Sequence, residues 1–103
     1  MDISKLMKQA QKMQEAMVKM QSDLNLQVVE GSSGGGVVTV TMTGGMEVQS
    51  VRIKPEAVDP NDIETLEDLV TAAVKDAVSK ASALASNQMG QVTGGLKIPG
   101  LGF

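Results

Sequence analysis

The spacing of apolar residues changes period twice along this chain, and those two changes fix the order of elements it can form. From Ile3 the apolar positions run Leu6, Ala10, Met13, Met17, Met20 and Leu24, in alternating steps of three and four. Such steps draw a narrow stripe down one side of an α-helix, the seam of a helix that packs on another surface. No glycine or proline interrupts residues 1–24, and Asp2 or Ser4 offers an N-terminal cap. A helix of about 20 residues is about 30 Å long. A core built by 103 residues does not cover that length, so part of the helix is expected to project.

The centre of the chain switches to short β-branched runs. "LQVVE", "GVVTVTMT" and "MEVQSVRIK" read as three strands, joined by a flexible loop at "GSSGGG" and a tight hairpin turn at "GG". In the second run Val38, Val40 and Met42 share one face and Thr39, Thr41 and Thr43 the other. In the third, Val48 is out of phase with Val51 and Ile53, which a bulge near Gln49 and Ser50 would correct.

Helical spacing then returns. Asp59 and Pro60 form a cap and first-turn pair, and Asp62, Glu64, Glu67 and Asp68 suit the positive end of a helix dipole. The apolar face from Ile63 to Leu84 narrows to alanine, allowing close approach to a neighbour, and Gly90 is the expected stop. The chain is therefore expected to be a single α+β domain over 1–103. Its parts are a basic helix at 1–24, a sheet at 25–54, a long helix at 59–89 and a glycine-rich apolar tail at 90–103.

Composition removes most chemistries. The chain has no cysteine and no histidine, which takes away disulfides, thiolate ligands and the commonest general base and zinc ligand. The acids from Glu56 to Asp68 do not follow a calcium-loop pattern, and "GSSGGG" lacks the ending of a phosphate-binding loop. Neither an enzyme nor a bound cofactor or metal is expected. No apolar run approaches the roughly 18 residues of a membrane span, and Met and Ala replace the bulky residues of a membrane-surface helix. The expected location is the cytoplasm.

What remains is charge. The net charge is −3, yet residues 1–22 carry Lys5, Lys8, Lys12 and Lys19 against Asp2 and Glu15, while residues 55–76 carry seven acids against Lys75. Lys5, Lys12 and Lys19 repeat every seven residues, and Lys8 joins them on a face away from the Ile3, Leu6 and Met13 seam. Such a stripe suits the phosphates of a nucleic acid; it is also what any amphipathic helix exposes to water, and Glu15 interrupts it. With Arg52 the sole arginine and Phe103 the sole aromatic residue, base reading and base stacking have little to work with. Duplex binding through phosphates survives, helped by amides such as Gln9, and a symmetric dimer would double the contacts. Met13, Met17 and Met20 fill the seam, within the subunit or across a subunit boundary.

Five segments in order, "LMKQAQKMQEAMVKMQ", "GGGVVTVTMTGG", "VRIKPEAVD", "LEDLVTAAVKDA" and "MGQVTGGLKIPGLGF", resemble the YbaB/EbfC family of bacterial nucleoid-associated proteins over nearly the whole chain. The resemblance implies an α-β-β-β-α subunit with a three-stranded antiparallel sheet, paired into a homodimer whose helices protrude like tweezer arms. It also implies binding of double-stranded DNA in the nucleoid, with a role in its organisation or in gene regulation. By position, the family's first and last helices correspond to the Lys5, Lys8, Lys12 and Lys19 stripe and to Lys75 and Lys80. The competing expectation is a homodimeric adaptor that binds other proteins through its methionine seam and apolar tail, with DNA contact incidental.

Overall fold

The structure, a computed structural model, describes residues 2–94, the last four by their backbone alone. It contains helix α1 (Ile3–Leu26), strands β1 (Val28–Ser33), β2 (Val38–Thr43) and β3 (Val48–Ile53), a short 3-10 turn at Pro55–Ala57, and helix α2 (Ile63–Gly94). The strands form one antiparallel sheet in the order β1-β2-β3. This is the α-β-β-β-α order expected, with both long helices present.

The core is a sheet-on-helix layer. Val38, Val40 and Met42 project from one face of β2 and pack with Ala73, Ala77 and Ala81 of α2, all buried. Each fully enclosed valine contributes about 1.5–3 kcal/mol through burial. The alanine stripe lets α2 lie close on the sheet, and Gly31 of β1 takes the closest approach. A Cβ built there would fall on the backbone nitrogen of Ala77 and the carbonyl oxygen of Ala73. At the other end of the sheet, Leu24 of α1 and Leu84 of α2 meet over Gly44.

The bulge is present: Thr41 pairs with Ser50 and Met42 with Val48, so Gln49 is the extra residue. Other boundaries move, each for a local reason. α2 begins at Ile63 rather than at Asp59, because Asp62 takes the cap, its Oδ1 accepting from the Thr65 amide at 3.3 Å and its Oδ2 from the Thr65 hydroxyl at 2.6 Å. Asp59 instead closes the preceding turn through the Asn61 amide. Gly90 does not stop the helix, which continues to Gly94; the expected tail beyond that lies outside the described residues. The stretch "GSSGGG" divides, with Gly31, Ser32 and Ser33 belonging to β1. Gly34, Gly35 and Gly36 form a turn with φ of 59°, 74° and 96°, a left-handed run that only glycine adopts without penalty.

The β2–β3 turn holds Met46 at φ 69°, with the Met46 amide donating to the Thr43 carbonyl at 3.0 Å. A side chain in that conformation is strained. Met46→Gly is therefore expected to raise stability by about 0.5–1 kcal/mol, seen as a higher urea midpoint at unchanged m-value.

Candidate nucleic-acid interface

α1 is anchored at one end only. Asp2 caps it, its Oδ1 accepting from the Ser4 amide at 3.0 Å. Met20 and Leu24 are buried near its C-terminus and Met13 is half-buried. Ile3, Leu6 and Met17 are 70, 49 and 39% exposed. Of the five seam residues Ile3, Leu6, Met13, Met17 and Met20, only Met20 is core within one chain. The N-terminal half of α1 thus projects, and the molecule is long and narrow, 71 × 25 × 16 Å. Its radius of gyration, 19.6 Å, far exceeds the roughly 13 Å of a compact domain this size.

Lys5, Lys8, Lys12 and Lys19 all lie exposed on this rod. At 100° per residue they fall within an arc of about 60°, and Lys5 to Lys19 spans about 21 Å. Among the described residues the one ion pair is that between Lys80 and Asp76, so the four ammonium groups of the stripe are held by no carboxylate. Gln9, also exposed, lies between stripe and seam. The acids at the start of α2 are elsewhere: Asp62 is about 33 Å along the helix axis from Leu84, where α1 joins. The acids of the α2 start therefore lie far from the stripe, and the carboxylates on the rod itself are Asp2, Glu15 and Asp23.

The α2 lysines differ from each other. Lys75 is exposed and lies two residues from both Ala73 and Ala77, which puts it on the side of α2 away from the sheet. Lys80 is committed internally. Its Nζ lies 3.1 Å from Asp76 Oδ2 and donates to the Glu30 carbonyl at 2.9 Å, while the same carboxylate oxygen accepts from the Ser32 amide at 3.0 Å. The pair thus satisfies an N–H and a C=O on the outer edge of β1. The i,i+4 spacing of Asp76 and Lys80 was the available signal for this role, and nothing in the sequence pointed to the strand edge it serves.

The Ser32 amide, and after it Lys80, hold the Asp76 carboxyl below the usual aspartate range, while burial opposes them. A depressed folded-state pKa stabilises the fold above the unfolded value of about 3.9, and this is lost as pH falls through the folded value. Urea unfolding of Asp76→Asn at a series of pH values should show lower stability than the native chain at pH 7. It should also show a shallower loss below pH about 4.

The model of the YbaB/EbfC DNA-binding family matches residues 1–96. The chain belongs to this family. Among its relatives is a nucleoid-associated protein of Pelotomaculum thermopropionicum, 50% identical over 100 residues that cover 97% of this chain and 95% of that protein. Another, from Alkaliphilus metalliredigens, is 51% identical over 97% of this chain and 88% of that one. The crystal structure of the uncharacterized protein HP0035 from Helicobacter pylori has the same fold, with a TM-score of 0.74 over 93% of this chain and 98% of that chain at 22% identity. No helix among the described residues of this YbaB/EbfC member is long and apolar enough to cross a membrane.

Proposed function

We propose that this chain is a nucleoid-associated protein of the bacterial cytoplasm that grips double-stranded DNA as a homodimer, through phosphate contacts from the α1 lysine stripe. The observation that carries the reading is the stripe itself: four exposed cations, paired with no acid among the described residues, on one arc of a projecting rod. Membership of a DNA-binding family supports it. Lys75 and Gln9 are peripheral contributors in this reading, and Lys80 is left out because its charge is spent on Asp76 and Glu30. The protein acts by binding rather than by catalysis.

The homodimer is supported by apolar surface that one chain leaves in water. Ile3 and Leu6 on the seam and Val51 and Ile53 on β3 are all more than two-fifths exposed, and a second copy would cover such positions. The same seam supports the adaptor reading, in which another protein takes that place. Electrophoretic mobility shifts on several unrelated duplexes, across a salt series, separate the two. Eight lysine contacts from two arms give a log–log salt slope of about −7, nearly the same for every sequence. No shift at low salt would reject DNA binding in favour of the adaptor.

A further inference from the structure

The chain has eight methionines and neither cysteine, histidine, tryptophan nor tyrosine, so a mild two-electron oxidant acts on it through thioethers. Those thioethers differ in access. Met20 and Met42 are buried, Met13 is half-buried, and Met7, Met17 and Met46 are exposed. Met46 sits in the β2–β3 turn, and Met7 lies about a quarter-turn round α1 from the seam. Met17 is the seam methionine most open to water, at 39% exposure, and it stands one helical turn before Met20, at 8%. That neighbour helps to fasten the arm. Met20 and Leu24 are the buried residues of α1, which rests on α2 and β2. Toward the N-terminus from Met17, the seam residues Leu6 and Ile3 are exposed, so the direction of the rod is set at this root.

We propose that Met17 is a site of reversible oxidation to the sulfoxide by a peroxide, and that this modification loosens the root of α1 and lowers affinity for DNA. The inference rests on the lysine-stripe reading and adds a regulation to it. In the oxidation the Met17 sulfur attacks one oxygen of hydrogen peroxide: an S–O bond forms, the O–O bond breaks, and the departing hydroxide takes the remaining proton and leaves as water. Sulfur loses two electrons and the peroxide gains them. A methionine sulfoxide reductase reverses the step, two thiols becoming a disulfide as the oxygen leaves as water. The sulfoxide is polar and keeps its oxygen in water, so the Met17 side chain turns outward and uncovers Met20. The four lysines keep their charge, but the rod that carries them no longer holds one direction, and the geometry that matches them to phosphates is lost.

The test treats the full chain with hydrogen peroxide and follows oxygen uptake by peptide mass mapping, alongside mobility shifts and urea unfolding. Met17 should gain oxygen before Met20 and Met42. Affinity for a duplex should then fall on the order of tenfold, with the salt slope unchanged at about −7 because no cation is lost. The urea midpoint should fall as well, and a methionine sulfoxide reductase should restore both. Met17→Leu, a change that conserves volume, should keep its affinity and its midpoint after the same treatment even though Met7 and Met46 take up oxygen. Met17→Gln should show the lowered affinity and midpoint without peroxide. A native chain oxidised at Met17 that keeps both values, or a Met17→Leu chain that loses them equally, would overturn the proposal. An untreated chain that shifts no duplex would overturn the stripe reading instead, and the urea midpoints would still decide whether Met17 governs the root of α1.

Discussion

Replacing Gly31 with alanine is expected to destabilise the fold severely. The added methyl would lie 2.7 Å from Ala77 Cα and closer still to the Ala77 nitrogen and the Ala73 carbonyl oxygen. All three are backbone atoms of a helix, so no rotamer change relieves the clash, and β1 and α2 must separate. Separation uncovers Ala73, Ala77 and Ala81 and draws apart the Ser33 hydroxyl from the Leu69 carbonyl and the Ser32 amide from Asp76. Overpacking costs typically 1–3 kcal/mol, and more where the neighbours cannot yield, so about 3 kcal/mol or more is expected here. That is a large part of the roughly 5–15 kcal/mol available to a domain. Gly35→Ala is the control: Gly35 has open space around it but a φ of 74°, so its cost should stay near 1–2 kcal/mol. Urea unfolding followed by circular dichroism compares the two, and equal effects would mean that close packing at Gly31 is not what matters.

Changing Lys5, Lys8 and Lys12 together to glutamine should weaken DNA binding by orders of magnitude and leave the fold intact. These side chains are exposed and make no ion pair among the described residues, so the change in stability should stay within about 0.5 kcal/mol. A dimer loses six cations, which flattens the salt slope from about −7 to about −2 and weakens binding at least about 1000-fold near 100 mM salt. Loss should be equal across unrelated duplexes, because phosphate contacts position without reading sequence. A variant that keeps the native slope would reject the stripe as the contact surface.

The fold was legible wherever periodicity governs. The helical period of α1, the burial of Val38, Val40 and Met42 on β2 and the bulge at Gln49 are all consequences of which side chains must share a face, and one sequence contains that information. Boundaries were less legible because near-equivalent caps compete. Asp59 and Asp62 both suit a helix start, and the hydroxyl of Thr65 decides for Asp62. Glycine and serine are turn-formers locally, so the sequence around Gly31 predicts a loop, whereas its place in β1 is set by alanines more than 40 residues away. The lysine stripe could be drawn from spacing alone. That Lys80 serves a strand edge could not, since the Glu30 carbonyl it meets is 50 residues distant.

The distance between the lysine stripe and the acids of the α2 start makes the two ends of the molecule electrostatically unlike. Ammonium groups on the projecting rod and carboxylates about 33 Å from its root are separated by several Debye lengths at physiological salt, so those α2 acids do not cancel the pull felt by the lysines, and only Asp2, Glu15 and Asp23 on the rod oppose it. Within about a Debye length a polyanion feels chiefly the end nearest to it, so approaches that bring the arms first are favoured. Net repulsion and productive approach are therefore compatible, and the sign of the total charge is a poor guide to what this surface attracts.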